Sequence, residues 1–145
     1  LAGFTDDMAY LWCLRLLLER LSWLARDQDR NLDYTMAHVV RFKKSKLRAY
    51  EQVLRNLPDC QVAWAHVPKG GSLSTPGADE RLQLADISAS ATFQAFEPIK
   101  GFTERRYLGE LNAALYRRKG NLLSYGLKVV PTPRAGGAYE WATRM

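Results

Sequence analysis

The spacing of apolar residues changes several times along the chain, and each change marks an element. Between Asp6 and about Arg26, Met8, Leu11, Leu14, Leu17, Leu18, Leu21 and Leu24 recur every three or four residues, which predicts a helix with a broad apolar face. Thr5, Asp6 and Asp7 supply an N-cap and first-turn charge of the favourable sign. The pattern then alternates. Leu32, Tyr34, Met36, His38 and Val40 fall on one side and Asp33, Thr35, Ala37, Val39 and Arg41 on the other, as in a strand. Leu47, Tyr50, Leu54 and Leu57 restore the helical period until Pro58, and Val62, Trp64 and Val67 predict a second strand over Cys60–Val67.

Residues 68–79 hold Pro68, Gly70, Gly71, Pro76 and Gly77 among serines and a threonine, which predicts a mobile loop. Glu80 to Glu97 reads as a helix with Leu82, Ala85, Ala89, Phe93 and Phe96 on one side and Pro98 after it. A further helix is expected from Thr103 to Lys119, with Tyr107, Leu108, Leu111 and Leu115 inside and Gly120 as its stop. Asn121 to Val130 reads as extended. Residues 1–131 then form the domain and residues 132–145, with Pro133, Gly136 and Gly137, a flexible tail.

Helix, strand, helix, strand, helix, helix is the order of an α/β domain with mainly parallel strands joined by helical crossovers. Two or three strands are few for such a sheet, whose faces and edges need neighbours. The expectation is a partial domain, completed by upstream strands, by another chain or by self-association into a homo-oligomer.

At 145 residues, 47% of them hydrophobic, the chain is the size of one domain and can bury a real core. No apolar run of about 18 residues is free of charge, since Arg15, Glu19 and Arg20 interrupt the first helix, so no membrane partner is expected. Cys13 and Cys60 stand far apart with no further cysteine to complete a zinc or disulfide pattern. They read as reduced, buried thiols of a cytoplasmic protein.

The most distinctive segment is Leu82-Gln83-Leu84-Ala85-Asp86 followed by Ile87-Ser88-Ala89-Ser90-Ala91. Asp86 lies one turn from Leu82 and from Ala89 and Ser90, which places a carboxylate near the apolar stripe. A carboxylate there needs a metal, a cation or several donors. One reading is an ion pair with an Arg or Lys at the rim of the core. Together with Phe96-Glu97-Pro98, Tyr107-Leu108 and Ser124-Tyr125-Gly126-Leu127-Lys128, however, the segment resembles the bacterial domain of unknown function 3800, a family assigned to the ribonuclease H-like superfold. The likeness runs from about Tyr10 to Pro131.

The resemblance implies a ribonuclease H-like fold and a metal-dependent nuclease-like activity. Several carboxylates would hold Mg²⁺ or Mn²⁺ against a phosphodiester, because hard cations prefer oxygen ligands. Asp86 is then the late-helix carboxylate, and catalytic. Two departures qualify this. The family's opening Asp-Glu-Ser-Gly-like strand does not occur in the sequence, and His38-Val39-Val40-Arg41 stands where many members of the superfold carry an acid. Asp6 and Asp7 are candidate further metal ligands, against their simpler role at a helix start. His38 and His66 fall on corresponding faces of the two predicted strands, a placement that packing explains as readily as metal binding.

The formal charge of +6 is unevenly spread. From Arg41 to Arg55 six basic residues face the single acid Glu51, and from Lys100 to Lys128 seven face two. Arg41, Lys43, Lys44, Lys46, Arg48, Arg117, Arg118 and Lys119 are accordingly the candidate nucleic-acid contacts, against the alternative of solvated helix faces. No nucleotide-binding loop, dinucleotide fingerprint or nucleophile elbow is present. Two functions stay open: a metal-dependent nuclease-like domain acting on or binding nucleic acid, and a non-catalytic nucleic-acid-binding or protein-assembly module with a degenerate site, in a setting such as bacterial defence.

Overall fold

The computed structural model describes residues 6–38, 42–97, 104–130, 137 and 139–145. The chain forms two compact units, Leu1–Ala78 and Asp79–Met145.

In the first unit, α1 (Asp6–Asp27) is followed by β1 (Thr35–Ala37), α2 (Lys44–Asn56), a single 3-10 turn at Trp64–His66 and β2 (Ser72–Ser74). The strands pair in parallel, Thr35 opposite Ser72, Met36 opposite Leu73 and Ala37 opposite Ser74, with α2 as the crossover. This is the α/β connection expected from the order of elements. Leu14 and Leu18 of α1, Phe42, Leu47 and Leu54 of α2 and its approach, and Val62 and Val67 form its core.

The predicted apolar face of α1 is wider than the one buried. Leu17 is 53% exposed and Met8 is also exposed, while Glu19, Ser22 and Ala25 are buried beside Leu14 and Leu18. The polar members of that face have partners. Glu19 accepts from Gln61 N–H at 3.2 Å, Ser22 Oγ accepts from Ala63 N–H at 2.9 Å, and Trp23 Nε1 donates to Gln61 C=O at 2.7 Å. Those bonds explain why Cys60–Val67 is not the predicted second strand. Backbone groups that would enter a ladder are satisfied by side chains of α1 instead. The expected facing of His38 and His66 falls with that strand: His66 lies in the 3-10 turn, its Nδ1 3.0 Å from Arg30 C=O.

The second strand lies in the segment expected to be a mobile loop. Gly71 permits it: a Cβ there would sit 2.4 Å from the Tyr34 ring, so only glycine lets β2 come in beside β1.

In the second unit Asp79 caps α3 (Glu80–Phe96) by accepting from Arg81 N–H at 3.1 Å. Ala91 and Ala95 are its buried residues, whereas Ala85, Ala89 and Phe93 of the predicted stripe are exposed. The smallest side chains make the interface because they let α4 (Arg106–Glu110), with its buried Leu108, approach closely. The long helix predicted over 103–119 is cut short, giving α4 and a 3-10 turn at Asn112–Ala114. Arg117 reaches back to the Asn112 side chain and, at 2.7 Å, to Asn112 C=O, and so caps carbonyls that a continuing helix would use. Lys119 and Gly120, with φ of 51° and 78°, form the tight turn that bridges Arg118 and Asn121; Gly120 is a turn residue and not a helix stop. The predicted extended run 121–130 forms no strand and holds only the isolated bridges of Asn121 to Arg118 and of Leu123 to Leu127. The end of the expected tail is packed: Ala142 is buried with Leu122 and Leu127, and the Trp141 ring lies 4.9 Å from that of Phe96.

Candidate functional site

Three groups of polar residues bear on function: the buried carboxylate of α2, the basic residues, and the groove beside Asp86.

In the sequence Glu51 is no more than the lone acid of a basic stretch. Its position on α2 places it 5% exposed, one turn from Leu47 and Leu54 on the buried face. Tyr34 Oη donates to one carboxylate oxygen, which also accepts from Gly71 N–H at 2.7 Å; Arg48 Nη1 donates to the other at 2.6 Å. Burial pushes the carboxyl up, but the bonds from Tyr34, Gly71 and Arg48 outweigh it and hold Glu51 below the ordinary carboxylate range. Burial and the bond to Glu51 push the Tyr34 phenol well above its usual value. The group joins β1, α2 and the entry to β2. With both carboxylate oxygens engaged by the protein, it is a structural clasp. The signal that could have found it is an acid on the apolar side of a helix, one turn from Leu47 and Leu54.

The clasp also sorts the basic residues. Arg48 is engaged by Glu51, and Lys46 stands over the Phe42 ring at 5.6 Å. Lys43 and Lys44, at the start of α2, are exposed; Arg41 lies outside the described residues. Arg117 is committed to the backbone of Asn112, Leu115 and Met145, and Arg118 lies 6.0 Å from the Tyr125 ring. Lys119 is exposed at the apex of its turn. Of the eight candidates, Arg48 and Arg117 are thus held by internal hydrogen bonds, and Lys46 and Arg118 are also engaged within the fold.

Asp86 is exposed on α3, not set against a buried stripe. With Ile87, Ser90, Ala91 and Gln94 it forms one face of the helix, and this face lines an open groove of about 420 Å³ whose other side is Tyr107, Glu110 and Leu111. Asp86 and Glu110 have no ion-pair or hydrogen-bond partner among the described residues. The rim pairing considered for Asp86 is thus not formed there. Glu110 is the residue that sequence reasoning missed, because the pattern places it inside a longer helix.

The Mg²⁺ or Mn²⁺ implied by the resemblance can be tested against this donor set. Metal-assisted phosphodiester hydrolysis needs several oxygen ligands, and Mg²⁺ keeps waters that themselves need polar neighbours. Asp86 has one carboxylate companion, and the walls beside the pair are Ile87, Ala91, Leu111 and the Tyr107 ring. Among the described residues no three His, Cys, Asp or Glu side chains gather into a metal-binding group. Asp6 and Asp7 open α1, and their side chains lie outside the described set. The residues around Asp86 do not fit a catalytic metal pair.

Neither cysteine is in a disulfide; Cys13 is exposed rather than buried, and Cys60 is half-buried. Among the described residues no helix is long and apolar enough to cross a membrane. Comparison with protein-family models, curated proteins and solved structures found no match to this chain.

Proposed function

We propose that the chain binds nucleic acid through its phosphate backbone, as a domain of the ribonuclease H-like kind that its motifs resemble. The observation that carries this reading is the cationic first turn of α2. Lys43 and Lys44 are exposed there, no acid shares the turn, and Lys43 as the N-cap residue makes no side-chain bond to the backbone. Cations at the positive end of a helix dipole disfavour the helix by roughly 0.3–1 kcal/mol each, and a bound phosphate reverses the sign of that interaction. Leu47, Glu51 and Leu54, all buried, hold the turn in place.

The test is an anisotropy titration of the protein with mixed-sequence single- and double-stranded oligonucleotides over a range of salt. Replacing Lys43 and Lys44 with Gln should weaken binding to all sequences alike and reduce the salt slope by roughly one unit for each lysine–phosphate pair removed. An unchanged slope assigns the turn to solvent.

A second reading makes the protein a metal-dependent nuclease on the same ligand; it rests on the motif around Asp86 alone, and because the groove beside Asp86 does not supply a metal pair, further oxygen ligands would have to come from outside it. Cleavage of the oligonucleotides that requires Mg²⁺ or Mn²⁺ and is lost in Asp86→Asn would establish it. Binding indifferent to chelator, without cleavage, supports the non-catalytic binding or assembly module.

A further inference from the structure

We infer that α3 is a self-association surface: two copies of this chain pair their α3 helices antiparallel about a two-fold axis at Ala89. The inference is independent of the phosphate-binding reading, which rests on α2 in the other unit, and it does not use the groove beside Asp86. Leu82, Ala85, Ala89 and Phe93 lie along one side of α3. The fold leaves that side open, with Ala85 and Ala89 exposed and Phe93 59% exposed. α4 packs elsewhere on the helix, against Ala91 and Ala95. At about 100° of turn per residue, Ala91 projects nearly opposite Ala89.

The charges at the two ends of α3 identify the occupant. Glu97 is exposed at the C-cap, the negative end of the helix dipole, and no basic residue lies in the last turn to offset it. Its carboxylate has no hydrogen-bond or ion-pair partner among the described residues. Arg81, in the first turn, holds Asp79 through Nε and Nη2, and its side chain is 82% exposed, which leaves Nη1 for a further acceptor. Arg81 and Glu97 stand equally far from Ala89 along the sequence. A second copy lying antiparallel therefore sets Arg81 of each chain beside Glu97 of the other. The same register sets Phe93 of each chain against Ala85 of the other, so that each ring enters the recess left by a methyl group, and Ala89 against Ala89 lets the backbones come close. A parallel pair would oppose Arg81 to Arg81, Glu97 to Glu97 and ring to ring. Charge and shape thus select one partner and one direction. Four turns of one helix bury less than about 1,200 Å², so the dimer is transient.

The test is sedimentation of the full chain from micromolar to millimolar concentration at low salt and neutral pH, with helix content followed by circular dichroism. The expected result is a reversible equilibrium between monomer and dimer. Ala89 and Phe93 are exposed, so their substitution leaves the monomer folded. Ala89→Glu should abolish the dimer, and Phe93→Ser should weaken it by roughly tenfold or more, since each change counts twice across the axis. Arg81→Glu and Glu97→Lys should each weaken it roughly five- to tenfold. An equimolar mixture of these two variants should recover the association of the parent, because every altered charge then faces its opposite. A chain that is monomeric at every concentration would leave the stripe to a different partner and overturn the proposal. So would oligomers larger than a dimer, a dimer that persists in Ala89→Glu, or a mixture that associates no better than its two components.

Discussion

Glu51 and Asp86 are both helix carboxylates with leucine one turn or less away, and the fold treats them in opposite ways. Glu51 is buried and takes bonds from Tyr34, Arg48 and Gly71, three partners that lie on β1, on its own helix and at the entry to β2. Asp86 is exposed in a groove and has no ion-pair or hydrogen-bond partner among the described residues. What separates a structural acid from one available to a ligand is the set of donors that distant segments bring to it. Position on the helix does not decide it.

The largest effect that could break the comparison is at Glu51. Glu51→Gln removes the charge to which three donors point, and hydrogen bonds to a charged group contribute about 1.5–3 kcal/mol each. Arg48 is partly solvated and recovers some of its loss, so the expected cost is roughly 2–3 kcal/mol, read as a lower denaturation midpoint of the first unit with an unchanged m-value. Gly71→Ala comes next. Its Cβ would meet the Tyr34 ring at 2.4 Å, so either β2 withdraws or Tyr34 leaves Glu51, at roughly 1–3 kcal/mol. At Gly70 a Cβ would first meet the end of the Arg48 side chain and Glu51, so Gly70→Ala should act through the same clasp, and Gly70 and Gly71 substitutions should not be additive.

A titration sharpens the same contrast. The folded Glu51 carboxyl sits below its unfolded value of about 4.3, so its contribution to stability is fully present above that pH and is lost as the pH falls through the lower folded value. Tyr34 runs the other way. Its phenol is raised, so its contribution is present below about pH 10 and is lost as the pH rises through the higher folded value. Urea denaturation from pH 7 to pH 3 should show stability falling in the wild type, and the fall should be shallower in Glu51→Gln. An equal fall in both would place the acid sensitivity elsewhere.

The helices were largely legible in the sequence. Leu47, Tyr50, Leu54 and Leu57 mark α2, and the pattern from Leu82 through Phe96 with Pro98 after it marks α3. The first strand was legible too, since β1 falls within the alternating run 32–41; the second was not, because pattern cannot say where backbone bonds will go. The alternation over Cys60–Val67 is that of a strand, yet Glu19, Ser22 and Trp23 claim its backbone, while the glycine- and serine-rich run that looks like loop supplies β2. The site was legible in part. Asp86 stands out by its motif, but its companion Glu110 is hidden by the helix expected to run on past it. Arg117, counted among the candidate nucleic-acid contacts, is held by carbonyls of the turn after α4 and of Met145, which the sequence pattern does not bring together.

The smallest expected effect is at Asp86, where Asp86→Asn should change stability by no more than about 0.5 kcal/mol, the range of surface substitutions. Setting it beside Glu51→Gln is the most direct test of the claim that one acid holds the fold and the other is free for a ligand. Both variants and the parent would be unfolded in urea at pH 7, each curve followed by tryptophan fluorescence and by amide exchange at Gly71. The account predicts a parent-like curve for Asp86→Asn, a loss of roughly 2–3 kcal/mol for Glu51→Gln, and loss of Gly71 protection in the latter alone. Equal stability of the two variants, with Gly71 protected in both, would contradict it.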